Sequence, residues 1–245
     1  MSGPPPLPPL ADDVWRWLEA ASTATVTTQL FKRGLRRMHL LGVAPVSRRR
    51  RLAGEARTLR YIPAREDLDV VDVFRDPEHP QRKAIELAQP GQVLVIDARG
   101  DTRGAAAGHI LCTRLWRRGA AGLVTDGGLR DSPAIAEMDF PVYAAAASPA
   151  MHLTVHHAVD IDVPIGCGGV PVFPGDVVLG DPEGVVVIPR HLAAEVARDA
   201  AEQERLEAFV LEKIQDGAPL PGTYPPSART LAEYEAWLRR RPPGG

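Results

Sequence analysis

Residues 106–131, AAGHILCTRLWRRGAAGLVTDGGLRD, carry the reading that decides the fold. Ile110, Leu111, Leu115 and Trp116 recur like one face of a helix, and Gly119 is placed to end it. AGLVTDGG then reads as a short buried strand. Upstream, residues 90–100, PGQVLVIDARG, give another apolar run between glycines, ending in Asp97. Downstream, residues 131–138, DSPAIAEM, begin a helix with Asp131 or Ser132 as cap and Pro133 in its first turn. FPVYAAA follows as a third strand. Strand, helix, strand, helix, strand predicts a parallel α/β layer.

Working outward, residues 1–10 form a proline-rich tail, extended or disordered. Asp12 or Asp13 is placed to cap a helix carrying Val14, Trp15, Trp17 and Leu18, with Trp15 and Trp17 as packing residues. A second helix is expected around residues 28–37. RLAGEARTLRYIPA, residues 51–64, has β-branched and aromatic residues and no helical period. Beyond Met151, valine-rich segments between Gly-Asp and Asp-Pro-Glu-Gly turns predict short antiparallel strands. A long charged helix is expected over about 190–215 and a short one over 228–239. The expected organisation is one domain over residues 11–225, followed by a C-terminal helix and tail over 226–245.

The chain has 245 residues, 44% hydrophobic and 24% charged, enough for a substantial core. With a formal net charge of −2 and no long basic block, nucleic acid is not the expected partner. The basic runs at 48–51 and 239–241 read as solvated surface. The two cysteines, Cys112 and Cys167, have no CxxC spacing, so neither a zinc ribbon nor a redox dithiol is suggested. Two buried thiols in a reducing compartment is the simpler reading. The N-terminus lacks the pattern of a signal peptide, and no apolar run is long enough to span a membrane. A cytoplasmic location is expected.

Two short segments carry the chemistry. GAAAGHIL places Gly104 and Gly108 ahead of a helix whose free backbone amides suit a carboxylate or phosphate. A merely glycine-rich loop is the competing reading. VTDGGLRD runs from a strand end, where open α/β sheets gather ligands, through two glycines onto Arg130 and Asp131. Arginine offers a planar fork to a carboxylate or keto-acid oxygen, and aspartate offers hard oxygen ligands suited to Mg²⁺ or Mn²⁺. The plainer alternative has Asp131 capping the next helix and Arg130 in a surface ion pair.

GHILCTRLWRRGAAGLVTDGGLRD resembles the signature of the family containing the regulator of ribonuclease activity A and the 4-hydroxy-4-methyl-2-oxoglutarate aldolases. The resemblance continues through PVYA, CGGVPVFPGDVVLGDPEGVVVIP and LAAEVARDAAEQE, over roughly residues 20–225. TLRYIPAREDLD ahead and GTYPPS behind look like a longer subgroup. It implies an α/β/β sandwich like a swivelling phosphohistidine domain, with helical N- and C-terminal extensions. It also implies a homo-oligomer, trimer or hexamer, with sites between subunits. The implied activity is a Mg²⁺- or Mn²⁺-dependent lyase acting on a small 2-oxo acid. Retro-aldol cleavage of a 4-hydroxy-2-oxo acid and oxaloacetate decarboxylation are both covered. Arg130 matches the arginine on the pyruvyl unit, Asp131 the metal ligand, and the amides of Gly108, His109, Ile110 and Leu111 the loop holding the pyruvate carboxylate.

One position departs from the pattern. The aldolases carry an acidic residue ahead of the Arg-Asp pair; counting back from Arg130, with residues 110–129 between, lands on His109. Three readings stand: an imidazole base or metal-water partner, a changed reaction such as dehydration or isomerisation, or a site without chemistry, as in the ribonuclease regulator. A trimeric protein that regulates a partner through its acidic surface is therefore the alternative to a lyase. Asp97, Asp101 and Asp126 are candidates to compensate for the lost acid. Other candidates read as structural. His156 and His157 point to opposite faces of a strand and cannot share an ion. Asp160 and Asp162 follow them. Asp176, Asp181 and Glu183 fall in turns, though Glu183 remains a candidate acid for a neighbouring subunit. Trp116, one helical turn beyond Cys112, is expected in the core.

Overall fold

The computed structural model describes residues 8–240. The expected proline-rich tail therefore lies outside the described residues, apart from residues 8–10, which are neither helix nor strand. Gln92–Asp97, Gly122–Thr125 and Val142–Ala144 run parallel, as the alternation predicts. Leu52–Pro63 lies parallel beside Gln92–Asp97. Its first residues also pair antiparallel with Val177–Asp181 and its last with His156–Ile161. Val177–Asp181 turns back on Gly184–Ile188. At the other end Ala44–Pro45 pairs with Val142–Ala144, while His39, just ahead of it, bridges Val186. The sheet is thus nearly closed, in a mixed α/β fold with helical N- and C-terminal parts.

Strand alternation divides the core. Leu94 and Ile96 pack with Leu115, Leu123 and Ile135 beneath the helices. Val93 and Val95 point the other way, into a cluster with Val178, Val187 and Cys167. Val177, Leu179, Val186 and Ile188 meet Asp12–Ala20, Thr23–Lys32 and Ala193–Gln215 through Leu18, Leu30 and Val196. Each fully buried Leu or Val side chain contributes about 1.5–3 kcal/mol relative to exposure.

Several boundaries differ from expectation. Thr23–Lys32 begins and ends earlier than residues 28–37. Ser22 Oγ accepts the Thr25 N–H and starts the helix, and Gly34 at φ 85° follows its end. Asp12 and Asp13 sit in the first turn of Asp12–Ala20 rather than capping it, where they still favour the helix dipole. Residues 190–192 form a 3₁₀ turn before Ala193–Gln215. Ala228–Arg240 packs on that long helix through Phe209, Tyr234 and Trp237. Trp116 is not in the core: it is 44% exposed and Ile110 is 80% exposed. The buried face of His109–Arg117 is Cys112 and Leu115, because the helix packs against Pro80–Leu87 and Ser132–Ala136 on that side. Among the described residues no helix is long and apolar enough to cross a membrane.

Candidate active site

The chain leaves the large sheet after Thr125 and enters a second, small parallel sheet made of Ala105–Ala107, Gly128–Leu129 and Ala146–Ala147. Asp126 and Gly127 make the transfer. Arg130 therefore follows a strand of the small sheet, not the strand end in the large sheet that the sequence suggests. Both glycines are required by close approach. A Cβ on Gly127 would lie 2.5 Å from Ala98 Cβ, and one on Gly128 would lie 2.8 Å from Ser148 Cβ. Asp126, 6% exposed, accepts the amides of Ala98, Gly100 and Gly168 at 2.8, 3.0 and 3.2 Å. Its carboxylate is spent on tying three loops together and is not free for a ligand. Asp126→Ala is expected to lower unfolding free energy by about 3 kcal/mol, read from the denaturant midpoint, because three amides lose a charged acceptor.

Ala107 and Leu129 are paired in register, and the Arg130 N–H donates to Ala107 O at 3.1 Å. Gly108 and Arg130 are thus the next residues on two neighbouring strands. Gly108 is the N-cap of His109–Arg117 and has an extended backbone with no side-chain cap. A Cβ there would fall 2.6 Å from Arg130 Cγ and 2.9 Å from Asp131 Oδ2. Asp131 is the N-cap residue of Ser132–Ala136, in the left-handed conformation at φ 58° and ψ 29°, with its carbonyl accepting the Ile135 N–H, but its side chain makes no capping bond. Its Oδ2 instead accepts the His109 N–H at 3.3 Å, with Arg130 Nε 3.6 Å away. Asp131 thus holds the expected cap position through its backbone, while its carboxylate turns to the start of His109–Arg117. Arg130 and Asp131 remain 45% and 44% exposed at the side chain. Gly108, Ile110, Leu111, Arg130 and Asp131 all line one cavity of about 280 Å³. The His109 imidazole does not line it; this residue meets Asp131 through its backbone amide.

The same cavity is walled by residues the sequence reading missed: Phe74, Gln81, Arg82 and His152. Gln81 Nε2 donates to Ala106 O at 2.8 Å and lies 3.2 Å from His152 Nδ1. With the amide nitrogen as donor, Nδ1 accepts and the imidazole proton sits on Nε2. Tyr61 Oη also donates to Ala106 O, and its ring stacks on His152 and His156 at 5.6 and 5.2 Å. Burial, then the neighbouring His79 and His156, pushes the His152 pKa down to about 3. His79 and His156 are lowered too, first by burial. On acidification the unfolded chain therefore takes up protons near pH 6.5 that the folded chain refuses. Stability contributed above that pH is lost between about pH 6.5 and 3. His152→Gln is expected to flatten the fall in thermal midpoint between pH 7 and 4.5, by about 2–3 kcal/mol at the lower pH. No local pattern could have paired Gln81 with His152, which is distant in sequence; Pro80 at the helix start is the nearest signal.

The remaining candidates are structural. None of Asp97, Asp101 and Asp126 lines the cavity. Asp97 accepts the Arg99 N–H and Asp101 pairs with Arg103. His156 points inward to Tyr61, while His157 pairs with Asp69 at 2.9 Å, on the opposite face as alternation requires. Asp160 and Asp162 pair with Arg60 and Arg57. Asp176 accepts the amides of Phe173 and Arg190, and Asp181 holds Thr23. Glu183 is exposed in its turn. Cys112 and Cys167 are free and buried. In the basic run, Arg48 and Arg49 pair with Glu137 and Asp139, and Arg51 donates to carbonyls of the first helix region. Among the described residues no three His, Cys, Asp or Glu side chains gather around a cation position. The cavity does offer the Asp131 carboxylate. That donor set fits a hard cation such as Mg²⁺, held by one or two carboxylates, water and substrate oxygens rather than by a full protein cage.

The family model described as Aldolase/RraA, RraA-like, matches residues 23–187, which contain the whole cavity lining. The chain belongs to this family. A 4-hydroxy-4-methyl-2-oxoglutarate aldolase of Thermus thermophilus is 35% identical over 141 residues, covering 58% of this chain and 77% of that protein. Streptomyces coelicolor RraAS2, described as an unusual member of the RNase ES inhibitor RraA protein family, superposes with a TM-score of 0.73. It is 32% identical and covers 83% of this chain and 98% of its own. An uncharacterized protein from Pseudomonas syringae pv. tomato superposes with a TM-score of 0.75 at 25% identity, covering 89% of this chain and 100% of its own. The family thus includes both named aldolases and named ribonuclease inhibitors.

Proposed function

We propose that this chain is a Mg²⁺- or Mn²⁺-dependent lyase that releases pyruvate from a small 2-oxo acid. Retro-aldol cleavage of a 4-hydroxy-2-oxo acid is the primary reaction, with oxaloacetate-type decarboxylation as its close relative. The observation that carries the reading is the convergence of Arg130, Asp131 and the start of His109–Arg117 on one cavity, with Gly108 leaving the room between them. The aldolase names among the relatives support it at the level of the family.

The amides of Ile110 and Leu111 and the helix dipole hold the pyruvyl carboxylate. Arg130 donates to the 2-oxo oxygen. Asp131 is the protein ligand for the cation, which when bound supplies Lewis-acid stabilisation of charge on that oxygen. A base takes the proton from the C4 hydroxyl, C4 becomes a carbonyl, and the C3–C4 electrons pass to the pyruvate enolate. Arg130 stabilises that negative charge until C3 is reprotonated. His109 is the proposed base; its imidazole stands outside the cavity of the single chain, so this role requires the side chain to turn inward, or a neighbouring subunit to enclose it, when substrate binds. The chain acts as a homo-oligomer, trimer or hexamer, and exposed Ile110 on the cavity wall supports a neighbouring subunit there.

The test is pyruvate release from 4-hydroxy-4-methyl-2-oxoglutarate and oxaloacetate with Mg²⁺ or Mn²⁺, with and without chelator. Turnover that chelation removes is expected. His109→Asp tests the altered position: if it lowers existing turnover, the imidazole takes part in the reaction. No turnover by the wild type with either cation, but a gain in His109→Asp, marks a site whose role has drifted. The departure at His109 favours a second reading, a non-catalytic binding protein of the ribonuclease-regulator type. Binding of a ribonuclease without turnover of any 2-oxo acid supports that one.

A further inference from the structure

The cavity has a second cationic wall that the proposed chemistry does not use. Arg82 lies on Pro80–Leu87, and its guanidinium sits 4.6 Å from the centre of the Phe74 ring. Among the described residues it has no carboxylate partner, although it lines the same cavity as Arg130 and Asp131. Burial already disfavours its charged form. A partly desolvated guanidinium, unpaired on a cavity wall, gains from any anion that enters. Next to it is His152, 3% exposed, with its Nε2 buried and unpartnered. Since Gln81 engages Nδ1, Nε2 offers a neutral N–H. That N–H has no accessible surface and sits beside the His79 ring, so His152 shapes the wall behind Arg82 rather than reaching into the cavity.

We propose that Arg82, braced on Phe74, forms the specificity-determining part of the cavity, reading a second carboxylate on the part of the substrate remote from its pyruvyl unit. This rests on the cavity being the substrate site. Arg130 and the helix start hold the carboxylate common to all 2-oxo acids, so they do not separate one such acid from another. Arg82 comes from Pro80–Leu87, a different segment from those carrying Arg130 and the helix start. Its cation selects a dianionic acid over a monoanionic one of similar size.

Binding of two unreactive probes, pyruvate and 2-oxoglutarate, to the full chain in the presence of Mg²⁺ tests this without requiring turnover. The wild type is expected to bind 2-oxoglutarate about tenfold or more tightly than pyruvate. Arg82→Met is expected to remove that difference while leaving pyruvate affinity within about twofold, and Phe74→Leu to reduce it in part. Arg130→Met weakens both probes together. If the dicarboxylate advantage survives in Arg82→Met, or if the wild type has none, the proposal is overturned. If the advantage exists and depends on Arg82 but no 2-oxo acid is ever cleaved, the lyase reading fails and the binding assignment stands.

Discussion

Arg130→Met is expected to lower kcat/KM for pyruvate release by about 10²–10³-fold, with little change in thermal midpoint. The side chain is 45% exposed and packs no core, so stability has little to lose. Among the described residues its only carboxylate neighbour is Asp131 at 3.6 Å, a solvent-screened pair of little energetic consequence to the fold. What the cation does is reserved for a ligand: it opposes the negative charge that forms on the 2-oxo oxygen as the carbon–carbon bond breaks. Methionine keeps the stem and removes the charge. A loss shared by kcat and kcat/KM marks an interaction made in the transition state; a rise in KM alone marks uniform binding. A variant with unaltered turnover would remove Arg130 from the chemistry.

Gly108→Ala is expected to cost about 10²-fold in kcat/KM through geometry alone. The glycine backbone is extended, at φ −146°, so alanine suffers no backbone strain. The added methyl group is placed 2.6 Å from Arg130 Cγ and 2.9 Å from Asp131 Oδ2. Arg130 Cγ lies near the backbone, so the clash cannot be relieved by moving a flexible tip. Either the guanidinium stem or the carboxylate has to turn away, and the two no longer meet the same small acid. Unfolding free energy is expected to fall by about 1–3 kcal/mol from the overpacking, too little to unfold the chain. Steady-state kinetics beside a melting curve separates this from misfolding. Full activity in the alanine variant would show that the close approach is dispensable.

The parallel layer was legible because apolar runs, glycines and proline-marked helix starts are local signals. Leu94, Ile96 and Leu123 announced their strands, and Gly119 ended its helix as read. The Arg-Asp pair was legible too, since adjacency and two glycines need no tertiary knowledge. Trp116 was misread because periodicity gives a face but not what covers it; the neighbouring helices reach only as far as Cys112 and Leu115. The small sheet that carries Arg130 was hidden for a similar reason. Strands as short as Gly128–Leu129 exist only through partners contributed by distant segments.

The order of elements, the cleft-forming glycines and the consecutive guanidinium and carboxylate were set by sequence alone, since each follows from backbone freedom or side-chain chemistry at one locus. Which way those groups face was decided only by packing. Register between Ala105–Ala107 and Gly128–Leu129 turns Asp131 toward the start of a neighbouring helix. Packing also brings Gln81, Arg82 and His152 to the same cavity from separate stretches of chain. Such convergence depends on contacts between remote residues, and no local spacing encodes it.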